Sequence, residues 1–278
     1  MKRLTEFLNA NRIAAAAALV LLLIVIASAL PGLVSGHSPI RLDIPARLAA
    51  PDSGHLLGTD AFGRDMLARI AHGGRYTLAV GLGVVTLAFV VGAPLGIISG
   101  YLGGWFDTVI MRSVDAVLSF PSLVLAIALA AVFGPSLHNA MLAVAITLAP
   151  RFTRVARSQA LAIAVKPYVE AALAMGASTP RILVHYVFRN GVGPLLVQAA
   201  LSVGSAILQT ASLGFLGLGA QAPTPEWGAD LAANLQYLDT APWMVLAPGA
   251  AILLTVLSFN LISDALVDWL QPRQRRNR

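Results

Sequence analysis

Residues Thr77 to Gly100 read TLAVGLGVVTLAFVVGAPLGIISG, a run without one ionisable side chain. As a helix it would rise about 36 Å, enough to cross the roughly 30 Å hydrocarbon core of a bilayer. The whole chain is written in this style. Of its 278 residues 57% are hydrophobic and only 12% charged, with mean hydropathy +0.76, so lipid is the solvent for much of it. Five further stretches approach spanning length: Ile13 to Val34, Ala116 to Phe133, Asn139 to about Val155, Gly191 to Leu213, and Ala241 to Ser263. The sequence therefore predicts an all-α integral membrane protein with six transmembrane helices. The fourth is the weakest, because its uncharged run ends at Pro150 and it borrows a turn whose Arg151 and Arg154 must snorkel to the headgroups.

A pI of about 10.3 would suit nucleic acid, but the positions of the cations point to topology. With a cytoplasmic N terminus, the outer segments hold only Arg41, Arg47, Arg64, Arg69 and Arg75. The rest of the 19 Lys and Arg fall inside, from Lys2, Arg3 and Arg12 through Arg151, Arg154 and Arg157 to Arg273, Arg275, Arg276 and Arg278. The positive-inside rule thus predicts both termini in the cytoplasm. Trp105 and Trp269 then fall at the inner boundary, Trp227 and Trp243 at the outer one, where indole rings prefer to sit.

At the N terminus, Lys2, Arg3 and Arg12 before an apolar run and Ala27-Ser28-Ala29 also fit a secretory signal. The run exceeds a signal core of about 7–15 residues, so residues 1–34 are read as a retained anchor helix. Residues 35–76 form an extracytoplasmic segment too small to be a domain of its own. In its second half, Asp60 to Arg75, Met66, Leu67 and Ile70 stand at helical spacing. That stretch is read either as a helix lying on the outer membrane surface or as a solvated connector. Asp60 and Asp65 there suit capping of a short helix, a cation site or contacts with a substrate-delivering protein.

Residues 77–268 hold the remaining spans, followed by a basic cytoplasmic tail, 269–278. Gly92, Gly96 and Gly100 repeat a small-xxx-small pattern that lets another backbone approach closely, with Pro94 as a predicted kink. No Asp, Glu, Lys or Arg lies centrally in any span, which disfavours a proton- or ion-coupled secondary transporter or a channel, the alternative reading from another class. The piece Gly214 to Thr240 is neither charged like a loop nor long enough to span, and is expected to fold back on the outer mouth of the bundle.

The cytoplasmic stretch 157–190 has internal punctuation. Pro167 suits a first helical turn, Glu170 favours a helix N terminus, Gly176 is a stop, and Ser178 or Thr179 can cap a second helix that starts near Pro180. Val169, Ala172 and Leu173 give the first helix an apolar face that fits a groove on a partner. From physics alone, an ordinary helical connector whose Glu170 merely satisfies a helix start is the first reading.

The wording of that stretch carries more. Glu170-Ala171-Ala172-Leu173-Ala174-Met175-Gly176-Ala177-Ser178, then Arg181-Ile182, resembles the Glu-Ala-Ala loop of bacterial ABC-importer permeases. The blocks His55-Leu56-Leu57-Gly58-Thr59-Asp60 with Gly63-Arg64-Asp65, Gly214-Phe215-Leu216-Gly217-Leu218-Gly219 with Pro225-Glu226-Trp227-Gly228, and Asn260-Leu261-Ile262-Ser263-Asp264 look like the second permease of dipeptide, oligopeptide and nickel importers. The resemblance covers the chain from about residue 40 to Pro272. It departs at Arg189, where these permeases commonly place Pro before Asn190.

The resemblance implies a type I ABC-importer transmembrane domain in the bacterial cytoplasmic membrane. It implies a homologous second permease, two cytoplasmic ATPase subunits and an extracytoplasmic binding protein as partners, and no nucleic acid. Val169, Glu170, Ala171, Ala172, Leu173, Met175, Gly176, Ala177 and Arg181 would couple to the ATPase. Asp60, Arg64, Pro225, Glu226 and Trp227 would form an outer mouth that meets the binding protein. Peptides are the first choice of cargo and nickel the second.

Catalytic signals do not compete with this reading. The only lysines, Lys2 and Lys166, stand outside any G-x-x-x-x-G-K setting, so no cofactor is expected in this chain and ATP and Mg would be bound by the partner ATPases. Neither H-E-x-x-H nor G-x-S-x-G occurs, and zero cysteines exclude thiolate sites. His37, His55, His72 and His138 fall on or near the outer side without i, i+3 or i+4 pairing, so no metal site is expected; His185 is read as packing or capping.

Overall fold

The structure of the protein, a computed structural model, describes residues 12–270. Lys2, Arg3 and the arginines of the tail lie outside the described residues, as does the side chain of Trp269. The described backbone is helical: α1 (Arg12–Ala29), α2 (Met66–Leu102), α3 (Gly104–Leu118), α4 (Ser122–Phe133), α5 (Leu137–Ala164), α6 (Pro167–Ala174), α7 (Thr179–Phe215), α8 (Trp227–Asn234) and α9 (Trp243–Leu270). Helices α1, α2, α7 and α9 are each long and apolar enough to cross a membrane. Such lengths are what the lipid interior demands, because a helix satisfies all its backbone polar groups internally.

Two of the expected spans differ from the sequence reading. Ala116 to Phe133 is broken, because α3 and α4 meet at 93° across Ser119-Phe120-Pro121. Pro121 disfavours helical geometry at the residue before it, and the Ser119 hydroxyl donates to the Ala116 carbonyl at the end of α3. The bent pair counts as at most one span. The expected fourth span lies within α5, which continues through Pro150 and carries Arg151, Arg154 and Arg157. It is not among the described helices apolar enough to cross.

The chain divides into two compact units. One holds the described residues up to Leu82, Ala130–Met141 and those from Val203 onward. Here α1 packs along α9, Ala14, Ala17 and Ser28 are buried, the last against Gly74 of α2, and the Arg75 guanidinium donates to the carbonyls of Ser28 and Ala29 at 2.6 and 2.7 Å. Those carbonyls are among the last of α1, which lack helical partners. The segment Asp60–Arg75 is neither a surface helix nor a solvated connector. From Met66 it is already α2, and Met66, Ala68, Arg69 and Ala71 are buried.

The second unit holds Gly83–Leu129 and Leu142–Ser202. Its core is the contact of α2 with α5. A Cβ at Gly92 would stand 2.5 Å from the Ala149 carbonyl oxygen, one at Gly100 2.6 Å from that of Arg157, and one at Gly96 would collide with the Thr153 carbonyl. The two backbones therefore meet along this glycine row. Phe89 meets Phe152 edge-on, centroids 5.9 Å apart.

Two of the three arginines of α5, Arg154 and Arg157, are held by carboxylates of α3, while Arg151 is exposed. Arg157 makes two 2.6 Å bonds to Asp107, which also accepts from Ser99, and Arg154 pairs with Asp115 at 2.6 Å. The paired form is the strong geometry for a guanidinium and a carboxylate.

Candidate functional sites

The short helix α6 lies in the second unit. Lys166 leads in with extended backbone, Pro167 opens the first turn and Glu170 sits in it, exposed. The end is a Schellman turn: Gly176 N–H donates to Leu173 O at 2.9 Å and Ala177 N–H to Ala172 O at 3.0 Å. This closure requires a left-handed residue, and Gly176 has φ +81°. Ser178 then stands at the N-cap of α7 without a side-chain capping bond, so its extended backbone alone sets the turn. Residues Ile182–Phe188 of α7 are wound as a π-helix, a feature without a local sequence signal. Arg189 continues that helix as an exposed residue, and His185 is also exposed.

The apolar face of α6 is divided. Val169 is fully buried and Ala172 nearly so, because α6 packs on the π-helical turn of α7, where Tyr168 stacks on Tyr186 at 6.4 Å. They are therefore not offered to a partner as the sequence reading had them. The free face carries Glu170, Ala171, Leu173 and Met175, the last 80% exposed. Arg181 is exposed and Ala177 half-buried.

The second candidate, in the first unit, gathers the two blocks around Asp60 and Trp227. Asp60 is fully buried, accepts from the Phe62 and Arg64 N–H groups at 2.8 and 2.9 Å, and takes a 2.6 Å bond from Arg64 Nε. Asp65 caps α2 by accepting from Ala68 N at 2.6 Å. Trp227, 1% exposed, donates its indole N–H to the Ile70 carbonyl at 2.9 Å. It is thus an internal anchor, not an interfacial ring facing headgroups. Trp243 donates to Thr59 O at 3.3 Å.

Glu226 caps α8, accepting from Ala229 N at 2.8 Å and from the Thr77 hydroxyl at 3.2 Å; burial pushes its carboxyl upward from the usual range. Pro225 is buried. A Cβ at Gly228 would collide with the Ala211 carbonyl, and one at Gly214 would lie 2.5 Å from Glu226 Oε2. The loop 214–240 thus packs against the helices of its own unit.

The sequence reading missed the ion pair at the centre of this cluster. Arg69 on α2 is bonded to Asp230 on α8, both about 3% exposed, and also donates to Pro39 O at 2.8 Å. Asp230 stands one helical turn after the capping Glu226, a spacing that could have flagged it. It also missed the convergence of His37 and His55 on Asp65, because the three are distant in sequence: His55 Nδ1 lies 2.8 Å and His37 Nδ1 3.7 Å from Asp65 Oδ2.

A family model described as the inner membrane component of binding-protein-dependent transport systems matches residues 92–276. The chain is 43% identical to the dipeptide transport system permease protein DppC of Alkalihalophilus pseudofirmus, over 96% of this chain and 88% of that one. The chain belongs to this family. Other members include DppC of Escherichia coli K12, 43% identical over 84% of this chain and 77% of the relative. The glutathione transport system permease protein GsiD of Pectobacterium atrosepticum is 42% identical over 80% and 74%.

Among solved structures, a chain of the inward-facing MetNI methionine ABC transporter superposes with TM-score 0.56 at 19% identity, covering 70% of this chain and 93% of that one. This likeness concerns the fold. As a member of the binding-protein-dependent transport family, the chain is a multi-pass, non-catalytic membrane subunit of an ABC importer.

Proposed function

We propose that the chain forms half of a translocation pathway for peptides across the bacterial inner membrane, with both termini cytoplasmic. The observation that carries the cargo is its 43% identity, over 96% of its length, to a permease named for dipeptides. Nickel is the weaker choice, since the relatives above are named for dipeptides and glutathione.

The assembly pairs this chain with a homologous permease, two ATPases that bind ATP and Mg, and an extracytoplasmic binding protein. Helix α6 is the coupling element, presenting Glu170, Leu173 and Met175 to the ATPase while Val169 and Ala172 fasten it to α7. Closure of the ATPases on ATP would displace α6 as a rigid body and bias the spans between two packings. The cluster of Asp60, Arg64, Pro225, Glu226 and Trp227 is the outer framework, and its burial favours a structural role over direct contact with the binding protein.

ATP hydrolysis by the reconstituted complex, with its binding protein, tests this against a panel of di- and oligopeptides and nickel chelates. Stimulation by peptides is the expected result. Stimulation by nickel alone would reassign the cargo, and uptake in energised vesicles depleted of ATP would refute the ABC mechanism.

A further inference from the structure

His37, His55 and Asp65 come from separate parts of the first unit, and their ligand atoms all lie within 4.8 Å of one another. We propose that they form a binding site for one divalent transition-metal ion of the zinc type, fastening the segment after α1 to the start of α2.

The two oxygens of Asp65 have separate duties. Oδ1 accepts from Ala68 N at 2.6 Å and from the Ser35 hydroxyl at 3.1 Å, which fixes the carboxylate on its backbone. Oδ2 is left to the two imidazoles, at 2.8 Å from His55 Nδ1 and 3.7 Å from His37 Nδ1. The rings lie 4.9 Å apart at 34°, and both direct Nδ1 at the same oxygen. Three such atoms, each about 2.0–2.2 Å from one zinc ion, stand about 3.4 Å from one another, so His37 must move in from 3.7 Å and His55 ease back from 2.8 Å.

His37 can supply that movement. Its side chain is 51% exposed, it sits on the non-helical stretch Ser35-Gly36-His37-Ser38, and its backbone N–H donates to Ser35 Oγ at 3.2 Å. The group borders a cavity of about 410 Å³ that is also lined by Asp43 and Arg41. Asp43 adds a second carboxylate within the same cavity, and open space leaves room for water to complete the coordination. Two imidazoles with one carboxylate select borderline ions such as zinc over Mg or Ca, which take oxygen ligands.

The test uses the full chain in its detergent-solubilised complex, stripped with a chelator and titrated with Co²⁺ and then Zn²⁺. Wild type is expected to take up one equivalent per chain with a d–d absorption band that Zn²⁺ abolishes and excess Mg²⁺ does not. His37→Ala should weaken binding at least tenfold while leaving the thermal midpoint of the metal-free protein unchanged, because His37 is exposed. His55→Asn, which keeps a donor to Asp65, should do the same. Uptake by His37→Ala equal to wild type, or no uptake by wild type at micromolar ion, would overturn the site and leave His55 and Asp65 as a hydrogen-bonded pair alone.

Discussion

Arg69 and Asp230, 161 residues apart, form an ion pair that is almost wholly buried. Burial raises the carboxyl of Asp230, and Arg69 opposes that rise. A pair of this kind adds little over an apolar replacement, but loss of one partner leaves a charge in a dry site. Arg69→Ala and Asp230→Ala are each expected to cost roughly 3–5 kcal/mol. The double variant Arg69→Met, Asp230→Leu should recover most of that loss, as measured by thermal midpoints of the solubilised protein. Equal damage from the double and single variants would remove the argument from unpaired charge.

The glycine row of α2 gives a sharper contrast. A methyl at Gly96 meets backbone, the Thr153 carbonyl and the Arg157 amide nitrogen at 2.9 Å, as well as the Ala156 Cβ at 2.6 Å. Backbone cannot rotate away, so Gly96→Ala should destabilise by about 1–3 kcal/mol as an overpacked contact. Gly193 within α7 has open space around it. Gly193→Ala should therefore be neutral or gain up to about 1 kcal/mol from helix propensity.

Glu226 yields a pH dependence. Its folded pKa is raised above the ordinary 4.5, first by burial, so between those two values the folded protein holds a proton that the unfolded chain has released. Stability from this group is greatest at low pH and is lost as pH rises through the folded value. Glu226→Gln carries the neutral form at every pH and keeps an acceptor for Ala229 N–H. It should flatten the decline in thermal midpoint on going from pH 5 to neutrality; an unchanged slope would show that Glu226 does not cause it.

The helical membrane fold was legible because lipid imposes length and polarity on each span one at a time, as in Thr77 to Gly100. What escaped depends on partners distant in sequence. Arg151 and Arg154 read as the end of a span, yet Arg154 and Arg157 meet Asp115 and Asp107 of α3. Trp227 read as an interfacial ring because its hydrogen bond to Ile70 O lies far back in the chain. The turn at Gly176 was visible, since helix stops are local, whereas the burial of Val169 and Ala172 depends on the π-helical turn that follows and has no local signature.

That division of α6 sets the final prediction. Were the helix a free apolar ligand, an aspartate at either Val169 or Met175 would repel the ATPase without harming the permease. With Val169 fully buried and Met175 exposed, the two must separate. Met175→Asp should leave expression, membrane insertion and thermal midpoint unchanged while the ATPase no longer copurifies. Val169→Asp buries a charge against α7 and should lower the thermal midpoint or the folded yield. Gly176→Val places a β-branched residue at φ +81°, where even the open space around it brings no relief from strain. It should loosen the Schellman turn and weaken docking with insertion intact. Docking that survives Met175→Asp would assign the ATPase contact to another part of residues 157–190.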